Sequence, residues 1–400
     1  MKLSKYIFQY CTLLTITLGS CQNKNQVAKD EIAQVQTSKG LLPIVTPGSS
    51  SNALPSNYLT TKQQQIEKFY NKTWSKNSMN GGFLVAKEGH VLFEKYQGVA
   101  SKEKKTEITS ETPIHIASVS KVFTATAILK LVDGGKLQLE NKVTDFFPSF
   151  PYAKITVRTL LNHRSGLKNY AYFTNRKEVW DSHKTLTNQD VLNILTKYKI
   201  PLEFATDTRF SYSNTNYALL ALIIEKVTGF TYPEAMSKII FEPLGMKNTY
   251  VFKMKEDINS ATPSYRASNQ RFAFDFLDGI YGDKNIYSTP RDLLKLDLAR
   301  RSGHFLNPNL EAQVYKGYSN EHKGTKNYGL GIRMIEWENG ESFYFHNGWW
   351  HGNTSAYITL GKEKVTIIAL SNKFTHTTYM VRNLAALFGN YPFKLEDLGE

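Results

Sequence analysis

Cysteine is scarce in this chain of 400 residues: it has two, Cys11 and Cys21, and both lie within the first 21 positions. No disulfide can therefore form within the long remainder of the chain, which must be held together by a packed core. Metal-binding patterns are missing too, because the pair His346 and His351 has no third ligand at a recognised zinc spacing. We predict no metal and no cofactor.

Other classes of protein are excluded by what is absent. The motifs G-x-S-x-G and H-E-x-x-H do not occur, which excludes α/β-hydrolase and zincin sites. The formal net charge is +14, but the basic residues are scattered, the densest cluster is SKEKK at residues 101–105, and there is no nucleic-acid-binding module. We therefore predict no nucleic-acid partner. The charge is interpreted as a solvated, lysine-rich surface that suits an anionic cell envelope.

The N-terminus has the pattern of a secretory signal peptide, predicted to cover residues 1–20. Lys2 and Lys5 precede an apolar stretch that is too short to span a membrane. The segment LGSC, which ends at Cys21, resembles the bacterial lipobox, in which the cysteine is lipidated and becomes the new N-terminus. An ordinary cleavage site with an incidental cysteine is the alternative, but it leaves an unpaired thiol on an exported protein. We predict a membrane lipoprotein of the bacterial cell envelope, in the periplasm or at the cell surface, held in the lipid bilayer through Cys21.

The composition divides the rest of the chain into a linker and one domain. Residues 21–58 are polar and predict a flexible tether that follows the lipid anchor site. The domain is predicted to cover residues 59–395. Between about residues 131 and 300 its pattern is mostly helical, which predicts a helical subdomain.

Strand patterns occur at both ends of this domain. Residues 81–100 predict two strands joined by a tight turn, and strand-like runs return after residue 328. A last amphipathic helix is predicted for residues 377–388. The fold class is therefore α+β, an α/β sandwich in which an antiparallel sheet built from both termini is flanked by helices and carries the mostly helical insertion.

One S-x-x-K pattern lies at the start of an apolar helix. The pattern occurs three times, beginning at Ser101, Ser118 and Ser165, and about two occurrences are expected by chance. Only Ser118 lies at the start of a helix that the sequence predicts to be buried. Lys121 follows it by one turn on the same face of that helix. Desolvation favours the neutral form of a buried lysine, which is a competent base for a serine hydroxyl. The alternative is a lysine side chain that extends to the surface from the first turn of the helix.

A second polar pair precedes another apolar helix. In the stretch FSYSN an extended backbone places Tyr212 and Asn214 on the same side. A tyrosine hydroxyl beside a lysine is suited to proton transfer, and an asparagine amide is suited to holding a substrate amide. The alternatives are a core tyrosine and a helix-capping asparagine.

The ordered set of these motifs resembles the serine β-lactamase and penicillin-binding-protein superfamily. The branch is the one that contains class C β-lactamases and D-alanyl-D-alanine carboxypeptidases, and the resemblance covers roughly residues 60–390. Its parts are PIHIASVSKVFTATAILKLVDGGKLQLENKVTDFFP, ITVRTLLNHRSGL, FSYSNTNYALLALIIEKVTG, FEPLGMKNTY, NIYSTPRDLLKL and YGLGI, in that order. The resemblance implies the transpeptidase-like fold and the roles of Ser118 as nucleophile with Lys121 and Tyr212.

The third motif of the family departs from its commonest form. Where many relatives have K-T-G, this chain has His346-Asn347-Gly348, a variant that also occurs in carboxypeptidase-like and esterase-like members. A histidine is only partly charged at neutral pH, which weakens a β-lactamase assignment. Gly348 is expected to let a substrate approach the strand. The resemblance implies that the N–H of Trp349 joins that of Ser118 as an oxyanion hole.

The sequence thus predicts an exported, lipid-anchored serine hydrolase that acts through an acyl-enzyme. Its expected partners are peptidoglycan-type peptides or small esters and amides, in particular D-amino-acid amides. A β-lactamase is the first alternative. An inactive, penicillin-binding-like module that binds cell-wall peptide without hydrolysing it is the second, although such a module has no need of the complete set of catalytic residues.

Overall fold

The computed structural model describes residues 54–74, 80–321 and 324–395. The predicted signal peptide, the lipidation site Cys21 and nearly all of the predicted tether lie outside the described residues. The first helix begins at Ser56, slightly before the predicted end of the tether. No helix in these three ranges combines the length and the apolar character that crossing a membrane requires.

Seven strands form one antiparallel sheet. In chain order the strands of the structure are β1 Gly81–Lys87, β2 His90–Gln97, β3 Val99–Ser101, β4 Thr106–Glu107, β5 Ile114–His115, β6 Tyr250–Val251, β7 Ile286–Ser288, β8 Lys326–Tyr328, β9 Arg333–Glu336, β10 Ser342–Trp350, β11 Asn353–Leu360 and β12 Val365–Ser371. The large sheet has the order β2-β1-β12-β11-β10-β9-β8. Because β1 pairs with β12, the sheet joins the two ends of the domain, as the sequence predicts.

Helices cover both faces of this sheet. They are α1 Ser56–Thr73, α2 Ser120–Asp133, α3 Val143–Phe146, α4 Val157–Leu161, α5 Tyr170–Phe173, α6 Asn188–Tyr198, α7 Asn214–Thr228, α8 Tyr232–Met236, α9 Met254–Asp257, α10 Pro290–Arg301 and α11 Pro308–Val314, with 3-10 segments at Ala117–Val119, Phe276–Gly279 and Thr377–Leu387 and a π-helical segment at Ser237–Phe241. The last segment before the C-terminus is thus a helix at the predicted place, but of the 3-10 type.

Strand β12 shows why both faces of the sheet are buried. Its residues Val365, Ile367 and Ala369 belong to an apolar cluster that includes α1 and the 3-10 segment near the C-terminus. The alternate residues Ile368 and Leu370 belong to the larger cluster formed with the inserted helices. A strand with apolar residues on both faces needs a layer on each side, so the structure has three layers with the sheet in the middle.

Helices α2 and α7 form the centre of the larger cluster and pack against each other. Both are buried almost all round, which explains why their sequences are nearly continuous apolar runs. Helix α7 ends at Gly229, whose φ of +71° is readily adopted by glycine. The N-termini of the two helices carry the predicted motifs, so their packing brings the motifs together.

Candidate active site

Ser118 lies in a 3-10 turn between β5 and α2. The residue before it, Ala117, has a φ of +47°, a strained conformation for alanine that costs about 1–3 kcal/mol. The N–H of Ala117 donates to Nδ1 of His115 (3.1 Å), and Nε2 of His115 lies 3.0 Å from Oδ1 of Asn285. Burial lowers the pKa of His115 to about 4, so the ring is neutral and its Nδ1 can accept this hydrogen bond. The neutral imidazole therefore supports the strained turn of the nucleophile.

Lys121 is buried beside this serine. Its exposed fraction is 0%, which contradicts the alternative of a side chain that extends to the surface. Its Nζ donates to Oγ of Ser118 (3.1 Å) and to the carbonyl oxygen of Asp283 (2.8 Å). It also lies 5.0 Å from the ring centre of Tyr212 and 5.6 Å from that of Tyr217. The predicted nucleophile and base are thus in hydrogen-bond contact.

The ring of Tyr212, just before the N-terminus of α7, has a histidine ring and an arginine side chain as neighbours. Its ring centre is 4.3 Å from that of His163 and 4.6 Å from the guanidinium carbon of Arg333. The hydroxyl of Tyr212 and Oδ1 of Asn214 are buried without a hydrogen-bond partner in the described part of the chain. Buried polar atoms are rarely left unpaired, and in a reactive cleft such atoms are suited to a substrate.

His346 differs from the expectation of a partly charged group. It is buried, and burial, together with the charges of Arg333 and Lys121, holds its pKa well below the usual value. As a neutral ring it has its Nδ1 2.9 Å from the carbonyl oxygen of Asn347 and its Nε2 3.2 Å from the hydroxyl of Tyr328. The positive charge at this end of the cleft therefore comes from Arg333. His346 contacts Tyr328 and not the hydroxyl of Tyr212.

Gly348 allows β10 to approach the nucleophile turn. A Cβ at this position would lie 2.5 Å from the carbonyl oxygen of Ile116, 3.0 Å from Cβ of Ala117 and 2.3 Å from Oγ of Ser355. The structure thus gives this glycine a packing reason in addition to the substrate access predicted from the sequence. The side chain of the next residue, Trp349, is 64% exposed.

Several residues at the site were not identified from the sequence, among them His163, Arg333 and Tyr328. His163 stacks on Tyr212, and its Nδ1 accepts from the N–H of Ser213 (3.2 Å). Nothing in a single sequence marks these residues as neighbours, because each lies on a different element. Two stretches that carry the family resemblance contain such residues: NHRSGL contains His163, and YGLGI contains Tyr328.

A group of possible metal ligands lies outside this site. Oxygen and nitrogen atoms of Asp275, Asp278 and His351 lie within 4.8 Å of one another. The carboxylate of Asp278 already accepts hydrogen bonds from Nε1 of Trp350 (2.6 Å) and contacts Nε2 of His351 (3.0 Å). Hydrogen bonding accounts for this group, and the absence of a metal stays a prediction.

The comparisons with known proteins agree with this geometry. Residues 66–389 match the family described as Beta-lactamase. A penicillin-binding protein of Bacillus subtilis is 31% identical over 337 residues, which are 80% of this chain and 73% of that protein. The structure of a penicillin binding protein from Bacillus halodurans matches with a TM-score of 0.69 and 24% identity, over 84% of this chain and 100% of that chain. D-amino acid amidase from Ochrobactrum anthropi gives a TM-score of 0.64 and 24% identity, over 81% and 96%.

The fold and these matches define the class: the chain belongs to the beta-lactamase family, and its fold is that of penicillin-binding proteins and related serine hydrolases. The superfamily predicted from the sequence is thereby confirmed, as is the fold class. The assignments of individual site residues stay predictions, to which the structure adds the distances given above.

The packing of Gly348 predicts the effect of one added methyl group. Gly348→Ala should lower the free energy of unfolding by about 1–3 kcal/mol, because the methyl group displaces β10 from the turn that carries Ser118. The measurement is urea unfolding followed by circular dichroism. Gly361→Ala is the matched control, since a Cβ there has no neighbour within 4 Å. Equal stability of the two variants would contradict this account of the site.

Buried neutral His115 predicts acid sensitivity. Its folded-state pKa of about 4 lies below the unfolded value of 6.5, so the unfolded chain binds more protons between these values and stability falls as the pH is lowered through this window. His115 alone should contribute on the order of 2 kcal/mol of the loss between pH 7.5 and pH 5. Urea unfolding at both pH values measures the loss. The loss of stability between the two pH values should be smaller in His115→Gln. It should be unchanged in His183→Gln, which changes an exposed histidine. An unchanged loss in His115→Gln would show that the ring is protonated in the folded state.

Proposed function

We propose that the protein is an exported, lipid-anchored serine hydrolase that acts through an acyl-enzyme on D-amino-acid amides or small esters. One observation carries the proposal: the buried Nζ of Lys121 lies 3.1 Å from Oγ of Ser118, at the start of a buried helix. A nucleophile within hydrogen-bond reach of its base is the recurring arrangement of covalent catalysis. Export and anchoring rest on the sequence pattern around Cys21.

The proposed reaction has two halves. The oxygen of Ser118 attacks the substrate carbonyl carbon while its proton passes to the amine of Lys121, and the oxyanion is bound by the backbone N–H groups of Ser118 and Trp349. The oxyanion then collapses and the bond to the leaving amine or alcohol breaks; Tyr212, which lies beside Lys121, gives that group its proton and takes the proton held by Lys121. Water attacks the acyl carbonyl, one of its protons returns to the oxygen of Ser118 by the same groups, and the acid product is released. The amide of Asn214 holds the substrate amide during both halves.

Arg333 supports a substrate that carries a carboxylate. Its guanidinium lies against the ring of Tyr212, and within the described residues it forms no ion pair with an acidic side chain. Because His346 is neutral, Arg333 provides the positive charge at this end of the cleft. Arginine binds carboxylates through charge-assisted hydrogen bonds. A peptide that ends in a free D-amino acid is thus favoured over a neutral ester.

The acyl-enzyme is tested by intact mass spectrometry of the full chain. We expect an adduct on Ser118 with an activated acetate ester, with turnover of that ester, and none of either in Ser118→Ala. Ser101→Ala, in another S-x-x-K sequence, is the matched control and should react like the wild type. A stable penicillin adduct would indicate a penicillin-recognising peptidase, and rapid drug turnover a β-lactamase. If neither an adduct nor turnover is observed, the proposal is rejected in favour of a binding module.

The role of Arg333 is tested with a matched pair of substrates. Arg333→Gln should lower kcat/KM about 10- to 100-fold for a peptide that ends in D-alanyl-D-alanine with a free carboxylate, because a charge-assisted hydrogen bond is lost. The carboxamide of the same peptide should lose little. Lys326→Gln, which changes an exposed lysine on the neighbouring β8, is the control. An equal loss for both substrates would show that Arg333 does not recognise the carboxylate.

A further inference from the structure

The segment of residues 282–286, which follows the 3-10 turn Phe276–Gly279 and ends at the first residue of β7, holds the nucleophile turn and the start of α2 by several hydrogen bonds. They join Gly282 O to Thr124 Oγ1 (2.6 Å), Asp283 O to Lys121 Nζ (2.8 Å), Ile286 N to Ser120 Oγ (3.2 Å) and Ile286 O to Ile116 N (2.9 Å). One of these contacts reaches the proposed base itself. The position of the carbonyl oxygen of Asp283 therefore helps to determine where Nζ of Lys121 lies.

A second buried lysine lies behind this carbonyl. Lys284 is 3% exposed, and its Nζ donates to the hydroxyl of Tyr170 (2.7 Å). The same hydroxyl donates to Oδ2 of Asp283 (2.8 Å), and Nζ of Lys284 lies 3.8 Å from Oδ1 of Asp283. Tyr170 therefore joins the carboxylate and the ammonium. Nζ of Lys284 also lies over the ring of Trp350, 4.8 Å from its centre.

A need for stability alone does not account for this group. Burying an ion pair has a desolvation cost that often exceeds the attraction between the charges, and apolar residues of similar volume stabilise equally well. The same residue, Asp283, provides the carboxylate to Tyr170 and the carbonyl to Lys121. Asp283 is thus held by hydrogen bonds at both its side chain and its carbonyl oxygen, and both bonds are buried.

We propose that Tyr170, Asp283 and Lys284 form a positioning network that fixes the carbonyl oxygen of Asp283 against Nζ of Lys121 and so directs the base towards Ser118. The inference rests on the acyl-enzyme chemistry proposed above. In this network Lys284 and Tyr170 are positioning residues, which act through Asp283 and do not touch the substrate. It adds a second lysine to the machinery of the S-x-x-K motif.

The charges around Lys284 couple the network to Lys121 electrostatically as well. Burial lowers the pKa of Lys284; the carboxylates of Asp283, Asp278 and Asp275 oppose this shift, and the charge of Lys121 adds to it. The charge of Lys121 therefore lies close enough to act on Lys284, and the two lysines interact through space as well as through Asp283. Loss of Lys284 is thus expected to change the pH dependence of the reaction, which a purely structural role would leave unchanged.

The test measures the rate at which a fluorophosphonate probe labels Ser118 in the full chain from pH 6 to pH 10, by mass spectrometry of the peptide that contains Ser118. Lys284→Gln should slow labelling about 10- to 100-fold, since a small misplacement of a catalytic group has effects of that size. Its labelling rate should also depend on pH differently from that of the wild type. Lys284→Arg should restore part of the rate, because it keeps the charge.

Two further variants make the test decisive. Tyr170→Phe removes only the bridging hydroxyl and should slow the labelling of Ser118 about 10-fold. This variant tests the network even if Lys284→Gln does not fold. Lys130→Gln, at the other end of α2, removes a half-buried lysine that donates to the carbonyl of Phe305 and should leave the rate unchanged. If the wild type is labelled, and the Lys284 and Tyr170 variants are labelled at the same rate and with the same pH profile, this inference is overturned and the proposed function stands. No labelling of Ser118 in the wild type would overturn the proposed function and this inference with it.

Discussion

The site depends on the burial of one lysine. Lys121 has no exposed surface, and a group of this kind must have its polar end satisfied inside the protein. Its Nζ is held by Oγ of Ser118 and the carbonyl oxygen of Asp283, and it faces the rings of Tyr212 and Tyr217. These groups come from the nucleophile turn, from the segment before β7 and from α7. The convergence of these elements on Nζ is what brings together motifs that are far apart in the sequence.

A second constraint is the close approach of the sheet to the nucleophile. Strand β10 approaches the turn at Ser118 because Gly348 has no side chain, and the turn itself contains Ala117 in a left-handed conformation. Backbone strain of this kind persists only where the surrounding structure holds the residue in place. Here the hydrogen bond to the neutral ring of His115 and the packing of β10 hold Ala117. The geometry of Ser118 is therefore fixed from the helical side by Lys121 and from the sheet side by Gly348.

The sequence predicted the fold class and the superfamily, because both leave local patterns: alternating and apolar strands at the two ends, apolar helices and ordered motifs. It did not predict the contacts that tune the site. His163 reaches Tyr212 from the end of α4, and Arg333 reaches it from β9, so their neighbourhood is a product of tertiary packing. The charge of His346 was misjudged for the same reason, since its pKa is set by burial and by Arg333, which no local pattern reveals.

The distribution of charge in the cleft has a consequence for the chemistry. A neutral His346, held between Tyr328 and the carbonyl of Asn347, cannot act as a second cation beside Lys121. With His346 neutral, the guanidinium of Arg333, 4.6 Å from the ring centre of Tyr212, is the cation at this end of the cleft. In the proposed function, proton transfer and anion binding therefore belong to separate residues, Lys121 and Arg333, and both lie near the ring of Tyr212.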